Sequence, residues 1–273
     1  MSVVVKSQPR WMTDAVVSGL VSAATLAADA ARDVILPLFR SCIDVQDKID
    51  GSPATEADRR AELCMRKILA DRYPAYGMYG EEYGCERPGA SLRWVLDPLD
   101  GTRAFITGRP TFGTLIALMD EDQPVLGIID QPVTRERWIA VSGQTTTYTS
   151  DLPGRIGVRR CTDISRMEMS CTAPDMVPAD PDSGWARLAS SVRRVSWGGD
   201  CYSYGLLALG YIDLIAEGDL KLWDWAAVKP IIEGAGGILV DWQGNPPLEA
   251  GSGEILALAN PAMLGPVTEI LNR

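Results

Sequence analysis

A chain of 273 residues, 46% of them hydrophobic, can bury one large core or two joined ones, which excludes a wholly disordered protein. Its formal net charge of −10 repels phosphate backbones and argues against nucleic acid as a partner. Histidine is absent, and with it go Ser-His-Asp and Cys-His triads, histidine phosphotransfer and histidine-ligated zinc or iron.

The first residues, Met1 to Lys6, lack the long apolar run of a signal peptide. Apolar spacing predicts a helix over 13–39, opened by Thr13 or Asp14. Its Ala-rich stretch 15–31, interrupted by Asp29, reads as a core helix and not a membrane span. A polar loop spans 44–53. Thr55, with Asp58 three residues on, then predicts an N-cap and a helix to about Asp71. Residues 77–89 read as a Gly-rich acidic loop, and 92–97 as a buried strand ending in a carboxylate. Strands at 112–119, 124–130 and 135–141 predict an antiparallel meander. The texture changes at Asp151-Leu-Pro-Gly154, which separates an N-terminal α+β part (1–150) from a C-terminal α/β part (151–273). In the second part, strands at 156–159, 167–172, 212–216, 237–241 and 255–259 are expected to alternate with helices at 183–191, 202–209, 224–235 and 262–272. Six cysteines, none in a CxxC pair, fit a reducing cytoplasm.

A hydrolase of this composition must use carboxylates, lysine, hydroxyls or oxygen-ligated metal ions, Mg²⁺ first among them. Three segments place acids at element ends: Gly80-Glu81-Glu82, Asp97-Pro-Leu-Asp100-Gly-Thr102 and Trp223-Asp224-Trp225. In the second, an apolar strand delivers two carboxylates into one turn, where they repel unless cations share them. A capping Asp in a surface turn would not explain that strand. Read alone, Asp224 is equally a helix N-cap or a ligand, Glu81-Glu82 a solvated acidic loop, and Thr55-Glu-Ala-Asp58 ordinary capping chemistry.

Together these segments resemble the inositol monophosphatase superfamily, over roughly residues 15–265. They appear in its order: Ser52-Pro-Ala-Thr55-Glu-Ala-Asp58, Gly80-Glu81-Glu82, Trp94-Val-Leu-Asp97-Pro-Leu-Asp100-Gly-Thr102, and Trp223-Asp224 running to Gly236-Gly237. The resemblance implies an α/β (α+β) fold, a layered αβαβα sandwich of the inositol monophosphatase/fructose-1,6-bisphosphatase type. It implies a phosphomonoesterase with two or three Mg²⁺ ions, held by Glu81, Asp97, the Leu99 carbonyl, Asp100 and Asp224, with Glu82 supporting. Thr102, oriented by Asp58, would serve the attacking water alongside Glu81, and the N–H groups of Gly101 and Thr102 would receive the phosphate. Lys48 falls in a loop that folds over the site in relatives; a solvated lysine is the alternative. A homodimer and inhibition by lithium also follow from the resemblance.

Four segments, 112–118, 198–205, 220–224 and 232–237, look like the histidinol-phosphatase branch. That implies L-histidinol phosphate as substrate, a place in histidine biosynthesis, and contacts from Gly199, Asp200 and Glu217 on the side away from the metals. Two carboxylates favour a substrate carrying an ammonium and an imidazole over a neutral polyol. Asp200 as a mere cap of the 202–209 helix carries nearly equal weight, and Leu222-Trp223 stands where that branch commonly has Pro-Tyr. The alternatives are an inositol-1-phosphate phosphatase, a broad small-molecule phosphatase, or a non-catalytic scaffold of the same fold. No partner beyond a small phosphate ester is expected, neither nucleic acid nor membrane.

Overall fold

The computed structural model describes residues 9–41, 45–47 and 53–273. Lys48 and Ser52 lie outside them. Helix α1 (Asp14–Ile35) ends where Pro37 turns the chain into one 3₁₀ turn, Leu36–Leu38. Strands β1 (Val45–Asp47) and β2 (Pro53–Thr55) then pair antiparallel. Helix α2 (Glu56–Arg72) starts at the expected cap: the Thr55 hydroxyl accepts from the Ala57 N–H, and Asp58 accepts from the Thr55 N–H at 2.8 Å.

The expected loop at 77–89 is not a loop. It holds β3 (Gly77–Gly80) and β4 (Gly84–Glu86), and β3 runs parallel to β5 (Leu92–Asp100). After the short helix α3 (Thr102–Ile106) come β6 (Gly113–Asp120), β7 (Gln123–Gln131), β8 (Glu136–Val141) and β9 (Thr147–Thr149). The meander forms as expected, and the sheet has seven strands in the order β4-β3-β5-β6-β7-β8-β9.

A second sheet has five strands. The chain supplies β10 (Glu168–Cys171), α4 (Gly184–Ser191), β11 (Arg194–Trp197), α5 (Asp200–Ala208) and β12 (Leu214–Glu217). There follow α6 (Leu222–Trp225), α7 (Val228–Gly234), β13 (Ile238–Val240), β14 (Ile255–Leu258) and α8 (Leu264–Leu271). The strand order is β11-β10-β12-β14-β13. The expected strand at 156–159 does not form: its N–H groups at Gly157 and Val158 reach the carbonyls of Ala208, the last residue of α5, and Ala235, just past α7. Ile156 and Val158 are still half-buried, which is the apolar alternation the sequence displays. The expected helix 224–235 is two, α6 and α7, and the first begins at Leu222.

Strand alternation shows how the layers stack. Along β5 and β6, Trp94, Leu96, Ile116 and Leu118 face one core with α1 and α2, while Val95, Leu115 and Ala117 face a second core with α5 and α7. Along β12 and β14, Ile215 and Ala257 enter that second core. Leu214, Ala216, Leu256 and Leu258 enter a third with α4 and α8. The result is five layers, αβαβα.

By length and composition α1 is apolar enough to cross a membrane. Here Leu20, Ala24, Ala27, Ala28 and Ala31 bury against the sheet, and its charges are answered from β7 and β8. Asp130, fully buried, accepts from Arg32 Nη2 at 2.5 Å and from Arg137 Nε at 2.7 Å, and Arg137 also reaches Asp29. Removing the shared acid breaks its ion pairs with both arginines at once, Arg137 keeping its bond to Asp29. Asp130→Ala should therefore cost about 3–5 kcal/mol in urea unfolding, whereas Glu56→Ala, which breaks an exposed pair with Arg60, should cost no more than about 0.5 kcal/mol. Equal costs would remove this network from the forces that seat α1.

Candidate metal centre

The site begins with an irregularity in β5. Residues three apart on a regular strand point to opposite faces. Between Asp97 and Asp100 the register slips: Asp97 pairs with Leu115 and Asp100 with Gly113, so three steps on β5 span two on β6. This bulge resets the alternation and turns both acids to one side. Asp97 Oδ1 accepts the Leu99 N–H at 3.0 Å, and the Pro98 carbonyl accepts the Thr114 hydroxyl at 2.8 Å, which pins the bulge.

Asp224 comes from α6. It is the third residue of the helix and not its N-cap: its carboxylate accepts the N–H of Lys221, which holds the cap position, at 2.6 Å. The carboxylate oxygens of Asp97, Asp100 and Asp224 lie within 4.8 Å of one another. Glu81 joins them at the end of β3; its N–H donates to Leu96, beside Asp97, and its carboxyl hydrogen-bonds Asp97. Burial, then Glu81, Asp100 and Asp224, drives the Asp97 carboxyl well above the ordinary range. Burial, then Asp200 and Asp224, does the same to Asp100, and Asp224 is pushed up to about 7, chiefly by burial. An all-oxygen donor set whose members resist ionising together fits a hard divalent cation.

Thr102 stands at the rim of this cluster. Its hydroxyl lies 3.2 Å from Asp58 Oδ1 and 3.1 Å from the Leu99 carbonyl, and its single proton can serve only one of them at a time. Asp58, fully buried, thus both completes the cap of α2 and meets Thr102. Burial raises its carboxyl above the usual value. Gly101 holds φ 85°, and a Cβ there would come 2.9 Å from the Asp200 carboxyl carbon.

Glu81, Asp100 and Asp224 of the cluster open onto a cleft of about 250 Å³ that Thr172, Asp200, Tyr204 and Glu217 also line. Asp200 does not cap α5. The cap oxygen is Asp100 Oδ2, which accepts the Cys201 N–H at 2.5 Å across the two sheets. The Asp200 backbone is left-handed (φ 45°), its carboxylate accepts from Thr111 at 3.3 Å, and burial pushes it up to about 6 against the pull of Thr111, Arg109 and Arg103. It therefore lies against Gly101, within electrostatic reach of Asp100. Glu217 is buried with both oxygens engaged, by the Thr172 N–H at 2.5 Å and the Tyr204 hydroxyl at 2.8 Å. Gly199 is the cap residue of α5, and Glu82 donates its N–H to Glu62 at 2.8 Å. Leu222 and Trp223 do not line the cleft; Trp223 packs edge-on to Tyr79 at 5.2 Å. Sequence reading missed Glu62 and Arg66, although Asp58, Glu62 and Arg66 repeat every four residues along one face of α2.

The sequence profile of the inositol monophosphatase family matches residues 17–271. The chain is 41% identical over 239 residues to the chloroplastic bifunctional phosphatase IMPL2 of Arabidopsis thaliana, covering 87% of this chain and 68% of that protein. It is 35% identical to a histidinol-phosphatase of Chlorobaculum parvum, over 86% of this chain and 90% of that one. Among solved structures, an inositol monophosphatase from Zymomonas mobilis matches with a TM-score of 0.84 at 41% identity, covering 94% of this chain and 98% of that chain.

The raised carboxyls fix a sign. Without metal, the folded state holds protons on Asp97, Asp100 and Asp224 more tightly than the unfolded chain does. These groups' contribution to stability therefore falls as pH rises from the ordinary carboxylate range through about 7. A cation that binds the ionised cluster reverses the loss. The rise in Tm on adding saturating Mg²⁺ should be at least about twice as large at pH 8 as at pH 5.5, and absent in Asp97→Asn. A thermal-shift series in which the metal effect ignores pH would contradict this electrostatic picture.

Proposed function

The chain belongs to the inositol monophosphatase family, and on that premise we propose that it is a Mg²⁺-dependent phosphomonoesterase with L-histidinol phosphate as preferred substrate. The meeting of the Asp97, Asp100 and Asp224 oxygens within 4.8 Å, beside a cleft that Asp100, Asp224 and Thr102 line, carries the hydrolase reading. Glu81, Asp97, Asp100, Asp224 and the Leu99 carbonyl would hold the Mg²⁺, which when bound supplies Lewis-acid stabilisation of phosphoryl charge and a more acidic water.

The protein's own groups do the rest. With its proton given to Asp58, the Thr102 hydroxyl oxygen can accept from a water and aim it. Asp58, made more basic by burial, is suited to take the proton through Thr102. Glu81, at the same cluster, is the second group able to draw a proton from that water. The N–H groups of Gly101 and Thr102 are assigned to the phosphate. Glu82 is assigned a supporting role beside Glu81.

For the leaving alcohol, Asp200 supports a cationic group. It sits in a strained backbone conformation, caps nothing, and is held partly protonated near neutrality by burial. An ammonium beside it would restore the carboxylate. Because both Glu217 oxygens are already engaged, Glu217 acts in this reading by holding Tyr204 and the 172 backbone at the cleft wall. The second reading, inositol-1-phosphate, draws on the 41% identity to the inositol monophosphatase from Zymomonas mobilis.

Four variants test the proposal. Asp97→Asn and Asp224→Asn should lose nearly all turnover while remaining folded, and excess chelator should do the same to wild type; full activity in chelator would end the metal mechanism. Thr102→Ala should lower kcat by roughly 10²–10⁴-fold with little change in KM. The kcat/KM ratio of histidinol phosphate to inositol-1-phosphate should favour the former and drop about tenfold in Asp200→Asn, a change of about 1.4 kcal/mol. A wild type that prefers the inositol ester would make the second reading the correct one.

A further inference from the structure

The segment that carries Glu81 is gripped from beneath by α2. Glu62 is fully buried, and its carboxylate lies directly under Gly80, where an added Cβ would come within 2.1 Å of Glu62 Oε1. Its Oε2 accepts the Glu82 N–H at 2.8 Å and its Oε1 the Tyr83 N–H at 3.2 Å. One residue earlier, the Glu81 N–H donates to Leu96 of β5 at 3.2 Å. Glu81 is thus tied on one side to the strand that bears Asp97 and on the other to Glu62.

Arg66 completes the grip. Its Nε donates to Glu62 Oε1 at 2.7 Å, and its two Nη groups donate to Glu86 at 2.9 Å and to the Gly84 carbonyl at 2.5 Å. The guanidinium thereby neutralises the buried acid and closes the β3–β4 hairpin onto α2. Neither side chain lines the cleft, so neither is placed to touch substrate.

We propose that Glu62 and Arg66 are positioning residues that hold the Glu81 carboxylate against Asp97, and so set the site's affinity for divalent cations. The inference rests on the reading of the carboxylate cluster as a metal site. Glutamine keeps the shape of Glu62 but offers one acceptor oxygen where two backbone N–H groups and a guanidinium need two, so one N–H must face an NH₂ donor and the hairpin must shift. Lysine at 66 keeps the charge but loses the planar fork that reaches three partners.

The test is isothermal titration of Mg²⁺ and Mn²⁺ into the purified full chain, with activity measured as a function of Mg²⁺. Glu62→Gln should weaken Kd by about 10–100-fold and shift half-maximal Mg²⁺ by the same factor. Its kcat at saturating Mg²⁺ should stay within about threefold of wild type. Arg66→Lys should fall between the two. Gly80→Ala, which forces the Glu62 carboxylate aside, should reproduce the weak binding and carries the test if Glu62→Gln does not fold. A merely structural role would lower Tm and the active fraction but leave Kd unchanged; unchanged Kd in the folded variants overturns the proposal. A wild type that binds neither cation instead overturns the metal-site reading on which it stands.

Discussion

Residues three apart on a straight strand cannot share a face, and two carboxylates cannot share a small buried volume without cost. The bulge in β5 violates the first regularity in order to impose the second condition: one extra residue turns Asp97 and Asp100 to the same side, where Glu81 and Asp224 meet them. Much of the neighbouring architecture can be understood as holding that unfavourable gathering in place. β3 must run parallel beside β5 to bring Glu81 to the level of Asp97, and α6 must start at Leu222 for its third residue to arrive from the opposite side. The layers supply the stiffness. Apolar alternation on β5 and β6 fills a core on each face, so the strand that bears the bulge cannot relax by rotating.

Helix α2 carries a second constraint. Asp58, Glu62 and Arg66, spaced by four, form a buried charged row on one face. Charges so deep persist because each is answered: Asp58 by the Thr55 N–H and the Thr102 hydroxyl, Glu62 by two backbone N–H groups and Arg66, and Arg66 by Glu62, Glu86 and the Gly84 carbonyl. The row lies under Thr102 and Glu81, so the groups that face the cleft rest on side chains that never see it. In a chain without histidine, the titratable groups at the cleft are acids, and their protonation is set by burial and neighbouring charge.

What the sequence displayed follows from which forces are local. Thr55 and Asp58 interact within one turn, and the cap appears where the residues predict it. The meander is set by short apolar runs, buried on both faces, and by short turns between them, and it too is legible. Residues 77–86 hid two strands because glycine and acids are poor strand formers; β3 exists through its pairing with β5 and the room that Gly80 leaves for Glu62, neither visible in a local window. The edge strand β11, with exposed Arg194 and Ser196, shows no apolar alternation to detect. Ile156 and Val158 mislead in the opposite way, half-buried in alternation as in a strand, while the N–H groups of Gly157 and Val158 go to helix ends. At the site the acid-bearing motifs stood out, but the roles of Asp200 and Glu217 depended on contacts from other elements. Asp100, over a hundred positions away, takes the capping role that Asp200 otherwise suits.

That last contact has a bearing on how the chain assembles. Helix α5 has nine residues, too few to be stable alone in water, and an oxygen that completes its first turn belongs to a strand of the other sheet. The helix is finished only when the two sheets meet, and the same event creates the wall of the cleft at Asp200. The cleft wall and the closure of the fold therefore share one contact of high sequence separation, the kind that a long loop must close to make. A chain in which that contact had not closed would lack the first-turn cap of α5 and the wall of the cleft together.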